Sequence, residues 1–412
     1  MDAKLRIDHQ MLAVEQEHGV HCMLELQMPE AHVDDRTPLS ISLVIDRSGS
    51  MSGEKLDVAK ECARYLTRRL SGDDHLALIT YDDSVDLVAP LAPVDAAVLE
   101  HALAGIGTGG MTNLSGGWLK GLEEIDRAPD DGVRRVLLLT DGQANVGIVD
   151  RGQLVSIAQG AKDKAATTTI GFGADFDEDL LAAIAAASDG ATYYAENPDD
   201  APAIFAEEFA NLATLVAQNV SVEIRPADPV ELLGVLNEYP IADVPGGLQV
   251  QLGDAYGSER RRVVFRMRIP EVAKLGVLRV ADVVLRYVTV GESVEAREVT
   301  IPITVNLVSA DEAAAAEADH EVVEETVLLA SARARKRARD LADMGDIDGA
   351  RTTLESAARE LRDLAPHSAR GDELVRDAEM LDTHTVAMAS YGPEDRKRLT
   401  NESWRRDRGR PI

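Results

Sequence analysis

The stretch LVIDRSGSMSGEKLDVAKECARYL, from Leu43 to Leu66, decides the fold of the chain around it. It begins as an apolar run, turns at Asp46-Arg47-Ser48-Gly49-Ser50, and continues with the apolar spacing of an amphipathic helix. The pattern predicts a buried strand followed by a helix. A carboxylate at the end of a buried strand is unfavourable unless it has a partner. The sequence therefore raises the question of what Asp46 binds.

Strand and helix patterns alternate throughout residues 38–215. Apolar segments such as SISLVID and RRVLLLTDG are separated by helical segments such as NLSGGWLKGLEEIDRA, and HLALITYDD with SVDLVAPL is typical of a hairpin. Buried strands separated by helices are typical of a parallel sheet covered on both faces. We therefore predict a doubly wound, Rossmann-like α/β domain with one antiparallel hairpin at an edge of its sheet.

The flanking regions have different patterns. Residues 216–309 alternate apolar and polar side chains between turns, which predicts an antiparallel β-sandwich. Residues 1–37 are also extended, and we expect them to complete that sandwich, with the α/β domain inserted between its parts. Residues 310–389 have helical periodicity and predict a helical hairpin or bundle. One turn there resembles a tetratricopeptide hairpin, but repeat arrays need about three units and no second copy is present.

The last segment, residues 390–412, is basic. Residues 393–412 carry seven basic and four acidic side chains on a chain whose net charge is −29. Low hydrophobicity predicts a disordered tail. The alternative is that the tail folds back on the acidic residues 171–210, with Trp404 as an apolar anchor and Glu402 reaching the predicted site.

Polar side chains gather where the predicted strands end. Asp46 and Asp141 each follow a buried strand, and the glycine-rich stretch GIGTGGMTNLSGG between them carries Thr112. Ligands of doubly wound sheets bind beyond the carboxyl ends of the strands. Together with Ser48 and Ser50, these residues offer two carboxylates and three hydroxyls. Hard oxygen ligands suit Mg²⁺, with Mn²⁺ or Ca²⁺ as alternatives, rather than Zn²⁺ or copper.

At these positions the sequence resembles the von Willebrand factor type A domain. The resemblance covers about residues 38–215 and rests on the metal-ion-dependent adhesion site of that family, which corresponds to Asp46-Arg47-Ser48-Gly49-Ser50, Thr112 and Thr140-Asp141-Gly142. It implies that Ser48, Ser50 and Thr112 bind a divalent cation directly, while Asp46 and Asp141 act mostly through water. The wider organisation is loosely similar to bacterial proteins and inter-alpha-trypsin inhibitor heavy chains in which β segments accompany this domain.

Simpler interpretations exist for each of these residues. Asp46 could cap the helix that follows it, Thr112 and Asn113 could cap the helix that begins near Leu114, and Asp141-Gly142 could be a plain turn. Asp82 and Asp83 are predicted to be solvated hairpin residues. The stretch GADFDEDLL loosely resembles a calcium loop, but it lacks the glycine and bidentate glutamate of an EF-hand and is better interpreted as the acidic start of a helix.

Composition restricts the class of protein. A pI near 4.7 disfavours binding to nucleic acid or to an anionic membrane. Two cysteines, Cys22 and Cys62, do not make a disulfide framework, and free thiols suit the cytoplasm. The N-terminus has no signal-peptide pattern, and no apolar window is long enough to predict a membrane helix.

Three functional classes are consistent with the residues. The first, which we expect, is a metal-dependent binding or scaffold module that docks an Asp or Glu of a protein partner. The second is a scaffold whose metal merely stabilises the fold, and the third is a metal-assisted hydrolase. We expect the site segments to offer no His, Lys or Cys as a general acid or base, and neither a nucleophile elbow nor a P-loop is present. We therefore expect a protein that is not an enzyme.

Overall fold

The computed structural model describes residues 1–31, 36–129, 132–173, 176–290 and 295–407 of the chain. Within these ranges the chain forms an α/β unit, a pair of β-sheets and a group of C-terminal helices.

The α/β unit contains one six-stranded sheet, in which the first strand of the unit lies near the centre. The strand order is β6-β5-β4-β7-β8-β9, and all neighbours are parallel except the hairpin pair β5 and β6. From β4 the chain continues to β5 and β6 on one side of the sheet. It then crosses to β7, on the other side of β4, and continues outwards to β8 and β9. The point where the order reverses therefore lies between β4 and β7. The strands are β4 (Leu39–Asp46), β5 (His75–Tyr81), β6 (Val85–Pro93), β7 (Val133–Thr140), β8 (Ala166–Phe172) and β9 (Thr192–Ala195).

Helices cover both faces of this sheet, and its central strand β4 is therefore buried at every position. Leu43 of β4 packs in one apolar cluster with Leu56 and Phe205, whereas its neighbour Val44 packs in another cluster with Trp118. Successive strand residues point to opposite faces, so an unbroken apolar run needs two covering layers. The helices are α1 (Glu54–Arg69), α2 (Ala96–Ala104), α3 (Leu114–Ile125), α4 (Arg151–Ala161), α5 (Glu178–Ala187) and α6 (Ala201–Ala213).

Two further sheets combine strands from before and after the α/β unit. Their orders are β1-β3-β14-β11 and β12-β13-β10-β15-β16-β2, and residues of both sheets share one apolar cluster. The short strand β2 pairs in parallel with β16, which departs from the predicted antiparallel pattern. The strands are β1 (Asp2–Ile7), β2 (Met11–Ala13), β3 (His18–Gln27), β10 (Leu215–Pro226), β11 (Glu231–Val235), β12 (Ile241–Val244), β13 (Gly247–Tyr256), β14 (Arg260–Ile269), β15 (Gly276–Thr289) and β16 (Ala296–Val308).

A buried ion pair joins the α/β unit to these sheets. Arg135 of β7 donates to Asp254 of β13 over 2.7 Å, and both side chains are almost fully buried. Removing one member of such a pair leaves an uncompensated buried charge. The two parts therefore meet through a specific polar contact.

The C-terminal helices pack around an apolar core. Leu328, Leu354, Leu361 and Leu381 are all buried in it. The helices are α7 (Ala310–Ala314), α8 (His320–Asp343), α9 (Ile347–Leu364), α10 (Gly371–Ala387) and α11 (Pro393–Asp407).

The predicted disordered tail is instead helical over the part that the structure describes. Helix α11 buries Leu399 in the core of the C-terminal helices. Arg396 pairs with Glu178 and Asp179 of α5, and Lys397 donates to Glu178 over 2.6 Å. Charge complementarity with the acidic residues 171–210 therefore orders a segment that has too little apolar surface to fold alone. Arg408 and Arg410 lie outside the described residues.

The alternative prediction that Glu402 of this tail reaches the metal site is also wrong. Its carboxylate lies 2.6 Å from His384 Nε2 and 3.4 Å from Arg335 Nε, inside the C-terminal helices. Trp404 is half-buried and packs against the apolar cluster of the α/β unit. Trp404 thus serves as the anchor that the sequence suggested, whereas Glu402 is occupied elsewhere.

Candidate metal centre

The candidate site lies at the carboxyl edge of the six-stranded sheet, at its topological switch point. Strand β4 ends at Asp46, and its parallel neighbour β7 ends at Thr140, directly before Asp141. Ile45 is paired with Leu139, so the two strand ends are in register. Both carboxylates are 0% exposed. Two buried carboxylates at adjacent strand ends indicate a site that needs positive charge.

Asp46 is held by neutral donors. Its Oδ1 accepts from the Ser48 amide over 2.8 Å, and its Oδ2 accepts from Thr140 Oγ1 over 2.7 Å. Burial raises the pKa of Asp46, the hydrogen bonds from Thr140 and Ser48 oppose that shift, and the charge of Asp141 adds to it. The site thus carries an unfavourable concentration of negative charge, which a cation would relieve.

The hydroxyls link the two carboxylates. Ser48 Oγ and Ser50 Oγ lie 3.1 Å apart, and Ser50 Oγ donates to Asp141 Oδ1 over 2.7 Å. A methyl group added to Gly142 would lie 3.2 Å from Thr112 Oγ1 and 3.6 Å from Ser50 Oγ. The structure therefore brings all five predicted residues together; their role as metal ligands stays a prediction.

Thr112 is positioned by the loop after β7. Its amide donates to Asn145 Oδ1 over 2.9 Å, and its carbonyl accepts from the amides of Asn145 and Val146 over 3.1 and 3.2 Å. Asn145 lies 33 residues from Thr112 in the chain. No spacing rule could have paired these residues, so sequence reasoning missed Asn145.

Asp82 is not the solvated turn residue that the sequence predicted. It is 5% exposed, accepts from the amides of Ser84 and Gly110 over 2.7 and 3.3 Å, and lies 3.2 Å from an Arg47 nitrogen. Burial alone would raise the pKa of Asp82, but the hydrogen bonds from Ser84 and Gly110 and the charge of Arg47 hold it below its ordinary value. Asp82 therefore fastens the glycine-rich loop to the β5–β6 hairpin. Asp83 is exposed, as predicted.

The glycine-rich loop requires glycine where it passes Asp82. A Cβ on Gly109 would lie 1.6 Å from Asp82 Oδ2, whereas a Cβ on Gly107 would meet nothing within 4 Å. We expect Gly109→Ala to lower the free energy of unfolding by about 2 kcal/mol, as overpacking does, and to weaken Mn²⁺ binding by displacing Thr112. Gly107→Ala is the matched control and should change neither quantity. Urea unfolding and calorimetric titration measure both. Equal behaviour of the two variants would contradict this account of the loop.

A lysine also enters the site, which the sequence did not predict. Lys55 Nζ, from the first turn of α1, lies 2.5 Å from Asp141 Oδ2. The expectation that the site segments offer no lysine is therefore wrong. Nothing in the sequence around Lys55 indicates a role in the site, because a lysine early in an amphipathic helix is an ordinary surface residue. An ammonium that pairs with a carboxylate is a counter-charge rather than a general base.

The remaining acidic candidates have structural roles. Asp177 caps α5 by accepting from the Leu180 amide over 2.9 Å, and Asp179 pairs with Arg396. Asp175, the first residue of the loosely calcium-like spacing, lies outside the described residues. Among the residues that are described, no group of three or more His, Cys, Asp or Glu side chains could hold a metal. A divalent cation at the candidate centre would therefore depend on hydroxyl and water oxygens as well as the two carboxylates.

In a comparison with models of protein families, residues 40–207 match one family. These residues include most of the six-stranded sheet and the candidate centre. The family is the von Willebrand factor type A domain. The chain contains a domain of this family over those residues, which are less than half of its length, and both carboxylates of the candidate centre lie within the matched range. Domains of this family, written VWA below, generally bind other proteins.

Relatives extend the similarity to different extents. The Synechocystis sp. protein sll0103 is 28% identical over 341 residues, which are 79% of each chain. Inter-alpha-trypsin inhibitor heavy chain H1 of Bos taurus is 26% identical over 162 residues, which are 37% of this chain but 18% of that protein. The similarity to the heavy chain is thus confined to a small part of it.

A solved structure shares the fold over nearly the whole chain. The structure named von Willebrand factor type A from Catenulispora acidiphila superposes with a TM-score of 0.74 at 20% identity, and covers 98% of this chain and 96% of that one. The VWA domain is therefore accompanied in both proteins by a similar arrangement of the remaining residues. Across the ranges described here, no helix is both long and apolar enough to cross a bilayer.

Proposed function

We propose that this protein is a metal-dependent protein-binding module, which docks an Asp or Glu of a partner on a divalent cation held by its VWA domain. The observation that carries the proposal is the convergence of two fully buried carboxylates and three hydroxyls at the switch point of the sheet. Mg²⁺ suits this set best, and Mn²⁺ or Ca²⁺ are alternatives.

The donors fit such a cation. Ser48, Ser50 and Thr112 would hold it directly, and Asp46 and Asp141 would supply negative charge behind them, mostly through water. Neutral hydroxyl ligands leave most of the charge of the cation uncompensated. When bound, the cation would supply an electrophilic position for a carboxylate from another molecule. The residues of this chain contribute the fixed positions of the donors, because Asp46 and Asn145 are themselves held by backbone hydrogen bonds.

The two alternative functions make different demands. A purely structural metal would raise stability without any partner. A hydrolase would need a general base within reach of the metal, and Lys55 is already paired with Asp141. We therefore retain the binding function and propose that the protein is not an enzyme.

The test is a pull-down from native lysate in Mg²⁺ and in chelator, with mass-spectrometric identification. We expect a partner that is captured in Mg²⁺, released by chelator or by millimolar glutamate, and lost with Thr112→Val, which removes the hydroxyl at nearly constant volume. Capture that persists in chelator would contradict metal-dependent docking. Thermal stabilisation by Mg²⁺ without any Mg²⁺-dependent partner would favour the structural alternative.

We propose a cytoplasmic location on the basis of the thiols. Cys22 and Cys62 are both free and buried. Burial raises the pKa of the Cys62 thiol to about 12 and also raises that of Cys22. Thiols in this state are unreactive packing residues. The net charge of −29 favours a protein partner over nucleic acid.

A further inference from the structure

The counter-charge of Asp141 in this structure comes from the protein itself. Lys55 Nζ lies 2.5 Å from Asp141 Oδ2, while Ser50 Oγ donates to the other oxygen, Oδ1. The lysine side chain is 26% exposed and the aspartate side chain is fully buried. The ammonium therefore reaches from the rim into the interior of the candidate centre.

The surroundings leave space for this lysine. Gly173, which follows β8, has a φ of +68°, and a Cβ built on it would lie 3.6 Å from both Cε and Nζ of Lys55. A larger residue would be strained at this φ, whereas its Cβ would make only an ordinary van der Waals contact with the lysine. The residue that follows a third strand, β8, thus lies next to the Lys55 ammonium.

The charges at the site are unequally compensated. Asp46 is held by the Ser48 amide and the Thr140 hydroxyl, which are neutral, whereas Asp141 is held by a hydroxyl and an ammonium. One ammonium offsets one of the two buried carboxylates. A divalent cation among Ser48, Ser50 and Thr112 would act on the same carboxylates and would repel the ammonium.

We propose that Lys55 is a built-in counter-ion that competes with the divalent cation for Asp141, so that it stabilises the metal-free protein and weakens cation binding. The inference rests on the proposed function and adds its regulation: the centre is loaded only when the free cation is concentrated enough to displace the lysine. It assigns a regulatory role to a residue outside the five predicted ligands.

The test compares two variants that each remove one positive charge from α1. Lys55→Met removes the counter-ion. Arg64→Met removes a cation nine residues further along the same helix, which is about 13 Å at the α-helical rise. Arg64 pairs with the exposed carboxylates of Glu61 and Glu100. Calorimetric titration with Mn²⁺ gives the dissociation constant, and thermal unfolding in chelator gives the stability of the metal-free protein.

We expect Lys55→Met to bind Mn²⁺ about tenfold more tightly than wild type, a moderate gain because the ammonium is partly screened by solvent. Its unfolding temperature in chelator should fall by about 2–4 °C, since Asp141 loses its partner. Arg64→Met should keep the wild-type Kd. Equal Mn²⁺ affinity of Lys55→Met and wild type would overturn the counter-ion proposal and leave metal binding intact. Absence of Mn²⁺ binding in every protein would overturn the proposed function itself.

A measurement on the wild-type protein covers the case in which Lys55→Met does not fold. Acetylation of lysines, followed by mass spectrometry, reports how accessible each amine is. We expect acetylation of Lys55 to increase when Mn²⁺ is added, because the displaced ammonium leaves Asp141, and that of Lys164, which pairs with Asp126 on the surface, to stay constant. Unchanged or decreased acetylation of Lys55 in Mn²⁺ would overturn the proposal.

Discussion

Asp46→Ala and Asp46→Asn are both expected to weaken Mg²⁺ or Mn²⁺ binding by about 10- to 100-fold, because residues that support a metal centre contribute strongly to its affinity. Asp46 is fully buried and receives hydrogen bonds from Ser48 and Thr140. Its loss removes one of two negative charges behind the hydroxyls. Calorimetric titration measures the effect, and metal-dependent partner binding should disappear with it.

The same substitution separates a metal-binding role from a structural one. Burial raises the pKa of Asp46 above its ordinary value of 3.8. The stabilisation that comes from the protonated form is complete below pH 3.8 and is lost as the pH rises through the higher folded-state pKa. At neutral pH the charged group therefore lowers the stability of the metal-free protein. We expect Asp46→Asn in chelator to unfold at or above the wild-type temperature at pH 7, and the difference to shrink as the pH falls.

Asp46→Asn is the preferred variant for stability because its oxygen can still accept from the Ser48 amide. Asp46→Ala leaves that buried amide and the Thr140 hydroxyl without their acceptor, which costs about 1–3 kcal/mol. The matched control is Asp83→Asn, since Asp83 is exposed and belongs to the same edge of the sheet. Wild-type Mn²⁺ affinity in Asp46→Asn would refute the assignment of this centre.

Truncation after Gly392 is expected to destabilise the whole chain by about 3–5 kcal/mol, because it removes α11 with its buried charge partners. Leu399 leaves the core of the C-terminal helices, and Glu178 loses both Arg396 and Lys397. The Nζ of Lys397, which pairs with Glu178, also lies over the Phe176 ring, 4.1 Å from its centroid. Urea unfolding should show a lower midpoint for the truncated chain.

The control for this experiment is Arg398→Ala. Arg398 pairs with Glu196, but the two side chains are 39% and 40% exposed, so the pair should contribute less than about 1 kcal/mol. Cation affinity should be the same in the truncated and full-length chains, since Glu402 contacts His384 and Arg335 rather than the candidate centre. Truncation that left the midpoint unchanged, or that tightened cation binding, would contradict the role assigned to α11.

The sequence alone determined the α/β unit and the location of its candidate centre. Strand β4, which ends at Asp46, has eight consecutive buried positions in the structure, and such a strand requires a sheet covered on both faces. In parallel strands the carboxyl ends share one edge, so the sequence placed Asp46 and Asp141 at the same edge of the sheet. The structure then showed that their strands are neighbours. The periodicity of apolar side chains shows which side of a helix or strand is buried. It can be read from each segment alone, without knowledge of the rest of the fold.

Only the tertiary structure decided which charges meet across the fold. Asp82 is paired with Arg47 from the loop after the neighbouring strand β4, and Lys55 reaches Asp141 from a helix 86 residues earlier in the chain. The tail is ordered because its cations face an acidic surface more than 200 residues away, as the separation of 218 residues between Arg396 and Glu178 shows. Polar pairs have no period along the chain. Their partners are set by how the elements pack. A rule that predicts disorder from the composition of one charged segment does not include the opposite charges on the surface against which that segment packs.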